Sequence, residues 1–134
     1  MSKNISLVIH TGSVDSKIYL IRGKRVMLDT DLAELYRVKT KFLNLNVKRN
    51  PARFPNDFMF QLTVDEAESL RLQFATSKKD ARGGRRYLPY AFTEQGVAML
   101  SGVLNSPRAV QANILIMVRH EALVSVQPVR VDYG

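Results

Sequence analysis

The chain has 134 residues, 46% hydrophobic and 24% charged, and its 20 Lys and Arg against 12 Asp and Glu leave a net charge of +8. That length and balance suit one globular domain with a proper core, and the absence of cysteine removes disulfides, thiolate zinc sites and cysteine nucleophiles and fits a reducing cytoplasm. No apolar run approaches membrane-spanning length, residues 1–11 lack a signal-peptide layout, and the charge favours a polyanionic partner over a membrane surface because the basic residues sit on turns and helices without a broad apolar face.

Residues 1–17 read as a loose, polar arm, apart from the short apolar run 5–9. Residues 18–28 form two apolar-rich runs around Gly23-Lys24, a β-hairpin pattern in which glycine supplies the positive φ of the turn. A short helix is predicted over 30–36. Asp29, Thr30 and Asp31 can satisfy its free N–H groups, and Leu28, Leu32 and Leu35 give one apolar stripe. Arg37-Val38-Lys39 is a three-residue connector, and a second helix runs over 40–49, stopping before Asn50-Pro51 because a residue preceding proline avoids the helical region. Leu43 and Val47 share the inner face of that helix, and Thr40, Lys41, Asn44 and Lys48 are assigned to the opposite side. Between Arg37 and Arg53 there are six basic residues (Arg37, Lys39, Lys41, Lys48, Arg49, Arg53) and no acidic one. Two helices joined by a short turn, the second basic, is the helix-turn-helix arrangement. An ordinary helical hairpin with a solvated basic face fits the same letters.

Beyond a Pro-rich connector at 50–57, residues 58–62 alternate as a half-buried strand with Phe58, Phe60 and Leu62 on one face, and Thr63 with Glu66 has the capping-box spacing that opens a helix to about residue 73. Residues 77–86 form a turn-prone loop in which Arg82, Arg85 and Arg86 surround Gly83-Gly84. Such a tip can lie along a phosphate backbone or enter a minor groove, or simply be solvated. Residues 87–92 are a second strand, suited to pair with the first. Thr93 caps a helix to about residue 104 with Val97, Leu100 and Leu104 inward, and Ser106-Pro107 opens the last helix, which ends near residue 123. Its stripe of Val110, Ile114 and Met117, widened by Leu115 and Val118, reads first as core and second as a dimer surface. Residues 124–134 show no period and read as a tail, which leaves 18–123 as the domain.

The segments IRGKRVMLDTDLAELY, VKRNPARFPNDFMFQLT and GGRRYLPYAFTEQGVAMLSGVLNS resemble the ORF-six N-terminal domain family of phage proteins, related to the KilA-N and Bro-N domains of phage antirepressors, over about residues 18–118. The resemblance implies a small α+β DNA-binding module of phage or prophage origin. It carries no assigned base contacts. Family members commonly have glycine in the turn where this chain has Arg37, and their last helix commonly continues into a longer region, whereas here the pattern breaks away after about residue 118.

The leading reading is therefore a double-stranded DNA binder, a transcriptional regulator or antirepressor working in the cytoplasm of a bacterial host. Lys41, Asn44 and Lys48 would enter the major groove, flanked by Thr40 and Arg49. Arg37, Lys39 and Arg53 would grip the backbone, and Arg82, Arg85 and Arg86 would reach a neighbouring groove. The last helix is the surface expected for a homodimer. The alternative is a protein-interaction module that occupies a repressor without contacting DNA. Enzyme chemistry ranks last. His10 and His120 stand far apart with no ligand spacing, no phosphate loop is present, and neither a metal nor a cofactor is expected.

Overall fold

The structure, a computed structural model, describes residues 14–74, 87–122 and 129–130. In chain order the elements are β1 (Tyr19–Ile21), β2 (Lys24–Leu28), α1 (Asp29–Tyr36), α2 (Thr40–Lys48), a 3-10 turn (Pro51–Arg53), β3 (Met59–Gln61), α3 (Val64–Phe74), β4 (Tyr90–Thr93), α4 (Glu94–Leu104), α5 (Pro107–Ala122) and β5 (Val129–Arg130). The strands form one sheet in the order β3-β4-β2-β1-β5. The pairs are antiparallel except β1 with β5, which is parallel. This is the α+β domain that the pattern implies, and β3 pairs with β4 as expected. Strand β5 was not legible. Two residues carry no alternation, and they fall in the stretch read as a tail. Toward the other end, Val14 and Asp15, read as part of the loose arm, are built into the fold: Val14 is fully buried, and Asp15 holds Arg119 of α5 through two 2.8 Å bonds.

Strict alternation along the strands divides the core into two layers. Met27, Met59, Tyr90 and Phe92 face a large cluster with Leu32, Leu35 and Tyr36 of α1, Leu43 and Val47 of α2, Val97 and Leu100 of α4, and Ile116 of α5. Val26, Leu28, Phe60 and Ala91 face the opposite way, onto Ala67 and Leu70 of α3. Four helices thus cover one face of the sheet and α3 covers the other. A buried polar chain crosses the larger layer: the Tyr36 hydroxyl donates to Asn113 Oδ1, and Asn113 Nδ2 donates to the Val97 carbonyl at 2.6 Å.

The β1–β2 turn is Arg22-Gly23, one residue earlier than expected, with φ of 56° and 76°. Two positive φ values are what a two-residue hairpin turn of the right twist needs, and Arg22 bears the strain for a reason visible in its side chain. Its guanidinium grips Glu66 at 2.7 and 3.0 Å and lies 4.1 Å over the Phe60 ring. Glu66 also accepts from the Thr63 N–H at 2.8 Å, while Thr63 Oγ1 accepts from the Glu66 N–H at 3.1 Å, completing the capping box. The Arg22 hydrogen bonds are the main force holding the Glu66 carboxyl below the usual range. Its stabilising contribution is therefore present above the unfolded-state value of about 4.5 and lost as pH falls through the depressed folded value. Urea unfolding of Glu66→Gln should show a loss of about 1–2 kcal/mol at neutral pH. The gap from wild type should close as the medium is acidified through that window.

The turn after α1 decides how α2 is presented. The Val38 N–H reaches the Ala33 carbonyl at 3.0 Å and the Arg37 N–H reaches the Glu34 carbonyl at 3.1 Å. That is the pair of bonds of a Schellman stop, with Arg37 in the left-handed position at φ 61°. A side chain there costs about 1–2 kcal/mol. Arg37→Gly should therefore stabilise the fold by roughly 0.5–1 kcal/mol, after allowance for the greater freedom of glycine in the unfolded chain. Thermal unfolding would record this as a rise of a few degrees.

Candidate nucleic-acid interface

Helix α2 is anchored from below by Leu43 and Val47, both buried. With those two as the inner face, 100° steps put Leu45 diametrically opposite, Lys41 and Lys48 on one side of it, and Phe42 and Arg49 on the other. The structure agrees: Lys41, Phe42, Leu45, Lys48 and Arg49 are exposed, whereas Thr40 and Asn44 are half-buried on the flank. The predicted reading face was therefore rotated toward the core. Thr40 and Asn44 do not point outward with the lysines, and two apolar residues, Phe42 at 48% and Leu45 at 43% exposure, occupy the centre of the outward face.

Asn44 has a different task. Its Nδ2 donates to Asp29 Oδ2 at 2.9 Å and to the Tyr87 hydroxyl at 3.0 Å. Tyr87 in turn donates to Asp29 Oδ2. Asp29 Oδ1 accepts from the Thr30 N–H at 2.8 Å. Asp29 is fully buried in the first turn of α1. Burial raises its pKa, against the lowering effect of these hydrogen bonds. The same burial, aided by the Asp29 carboxylate, pushes the Tyr87 hydroxyl upward. One carboxylate thus ties together the start of α1, the middle of α2 and the strand-entry residue Tyr87. An adenine contact through Asn44 Nδ2 would compete with those bonds.

The other predicted contacts separate. Lys39 is exposed at the N-cap of α2, and Arg37 is exposed in the turn. Arg108 of α5 joins that end, donating from Nε to the Leu35 carbonyl at 2.8 Å. Burial lowers its pKa, and the Arg37 charge lowers it further. Arg53 is exposed but leans toward α4, where a Cβ on Gly102 would sit 3.7 Å from its Nη1. Arg82, Arg85 and Arg86 lie outside the described residues. Beside α2, Asn44, Val47, Lys48, Pro51, Phe54, Met59 and Tyr90 line a cavity of about 270 Å³.

The stripe expected of the last helix changes. The buried stripe of α5 is Ala109, Ala112, Asn113, Ile116 and His120, whereas Val110, Ile114 and Val118 are exposed on the outer side. Ala109 and Ala112 on the inner stripe are short, and the long aliphatics Val110 and Ile114 lie in neighbouring, exposed positions. His120 is buried on that stripe. Burial lowers its pKa, with the Glu94 charge acting to raise it and Arg25 to lower it. Among the described residues no group of three or more His, Cys, Asp or Glu could hold a metal ion, and no helix is long and apolar enough to cross a membrane.

The pairing β1–β2, the α1–turn–α2 unit and the β4–α4 corner all lie within residues 16–103, the span matched by the family model of the ORF6N domain. The chain belongs to the ORF6N domain family. The ORF6N family is phage-associated and of a regulatory type rather than a family of enzymes. Helix α5 and strand β5 lie beyond the ORF6N match. Neither curated proteins nor solved structures gave a match to this chain.

Proposed function

We propose that this ORF6N domain binds double-stranded DNA as the recognition module of a phage or prophage transcriptional regulator or antirepressor. The observation that carries the reading is the outward face of α2: Lys41, Lys48 and Arg49 exposed on a helix held rigidly from below, in a stretch of six basic residues with no acid between Arg37 and Arg53. A major groove admits one α-helix. Lys41, Lys48 and Arg49 meet phosphates or guanine edges there, and Arg37 and Lys39 hold the backbone from the turn. Asn44 orients the helix rather than reading bases. Arg53, facing α4, is an outlying backbone contact, and Arg82, Arg85 and Arg86 are proposed as further phosphate contacts.

The test is fluorescence anisotropy with a short duplex over a salt series. The expected result is binding whose log–log salt slope is close to −0.9 per phosphate neutralised, with several phosphates engaged. A folded protein that leaves the duplex unbound at low salt overturns the reading.

A second reading has its own observation. The exposed Val110, Ile114 and Val118 recur every four residues along α5, an apolar ridge suited to a second copy of the chain or to a repressor protein. A homodimer through α5 would couple two DNA-reading helices, which a module this small needs for tight binding. A protein-only function would instead show association that is insensitive to salt and lost in Ile114→Glu.

A further inference from the structure

Neither Phe42 nor Leu45 belongs to the two buried core clusters. Leu43 and Val47 make the contact with the core, and Phe42 and Leu45 stand nearly half exposed on the opposite side of α2. They are not isolated surface hydrophobics. Leu45 is the centre of the outward face, and Lys41, Lys48, Phe42 and Arg49 surround it at helical spacings of three and four. A partner for such a face must be polyanionic and must offer small apolar groups between its charges.

The polar side chains nearby narrow the choice. The Asn44 amide nitrogen is engaged with Asp29 and Tyr87. The Asn46 amide nitrogen donates back to the Phe42 carbonyl at 2.9 Å. Neither asparagine nitrogen points outward as the donor half of an adenine contact. What remains is cationic and apolar. In the major groove the apolar feature of a base pair is the C5-methyl group of thymine. Residues three apart on a helix are about 4.5 Å apart along its axis, and stacked base pairs are about 3.4 Å apart along theirs, so the two side chains suit adjacent or near-adjacent thymines.

We infer that Phe42 and Leu45 are specificity-determining residues that pack against thymine methyl groups in the major groove, while Lys41, Lys48 and Arg49 hold the flanking phosphates. The inference rests on the DNA-binding reading above and adds to it a base preference and the residues that set it.

The test compares two A·T-rich duplexes of the same sequence, one with thymine and one with deoxyuridine throughout, which differ only in the methyl group. Anisotropy titrations over a salt series would use the full chain and a Phe42→Ala/Leu45→Ala variant, with circular dichroism to establish that the variant stays folded. Each methyl in contact is worth about a fourfold change in Kd, so wild type should bind the thymine duplex roughly tenfold more tightly. The variant should bind both duplexes alike, with the salt slope of wild type, since no cation has been removed. Equal affinity of wild type for the two duplexes, with a normal salt slope, overturns the inference and leaves the DNA-binding reading intact. A variant that keeps the thymine preference overturns it equally. Absence of salt-dependent binding to either duplex overturns both and points to an acidic protein surface as the partner of this face.

Discussion

Gly96→Ala should destabilise the fold by at least about 3 kcal/mol, lowering the thermal midpoint by roughly 10 °C or more. A Cβ at that position would lie 2.2 Å from the Phe58 carbonyl oxygen and 3.1 Å from its carbon. The obstacle is backbone and cannot rotate away. The same carbonyl accepts from the Thr93 N–H at 2.9 Å and from Thr93 Oγ1 at 3.2 Å. Thr93 Oγ1 also accepts from the Gly96 N–H at 3.4 Å. Moving α4 away from Phe58 would therefore loosen its own N-cap. The sign of the effect is diagnostic, because glycine to alanine inside a helix ordinarily stabilises by about 0.5–1 kcal/mol. Gly102 is the control in the same helix. A Cβ there meets only Arg53 Nη1 at 3.7 Å, and Gly102→Ala should be neutral or stabilising. Differential scanning calorimetry of the two variants separates close packing at Gly96 from a general property of α4.

The second large effect is on affinity. Lys41→Ala/Lys48→Ala/Arg49→Ala removes three cations from the outward face of α2 and touches neither Leu43 nor Val47. Its unfolding midpoint should stay near wild type. If each cation neutralises one phosphate, the log–log salt slope should become shallower by about 2–3 units, and Kd at moderate salt should rise by about 100-fold or more. Asn44→Ala should behave in the opposite way. It leaves those cations in place, keeps the salt slope, and weakens the fold by removing a donor from the buried Asp29 carboxylate.

Those contrasts follow the boundary between what the letters disclosed and what only the assembled structure could. The helix caps were legible because they are local. Thr63 with Glu66 and Thr93 ahead of α4 satisfy their own helix ends within three residues. The strand pairing of β3 with β4 was legible because alternation is strong in both. The outward face of α2 was legible in part. Its charge was plain, but the residues given to it were set by polarity rather than by angle from Leu43 and Val47, which brought in Asn44 and passed over Leu45. The fate of Asn44 depended on Asp29 and Tyr87, 15 and 43 residues away, and no periodicity carries that information. On α5 the inward positions are filled by Ala109, Ala112 and Asn113, residues that a hydrophobic pattern scores below Val110 and Ile114. The strain at Arg37 was visible only as a departure from glycine, and the strain at Arg22 was not visible in the sequence. Bonds from the Arg22 guanidinium to Glu66 explain its tolerance. The Schellman bonds at Arg37 show why the left-handed backbone is needed there.

The central claim is that the outward face of α2 is the surface that meets DNA. It is tested most directly by amide chemical-shift mapping of the isotope-labelled chain on addition of a short A·T-rich duplex. The account predicts that the largest shifts fall on the amides of Lys41, Phe42, Leu45, Lys48 and Arg49, with smaller ones at Arg37 and Lys39, while the Val110–Ile114–Val118 side of α5 is little changed. Shifts concentrated on α5 with α2 silent, or no shifts at all in low salt, would contradict it.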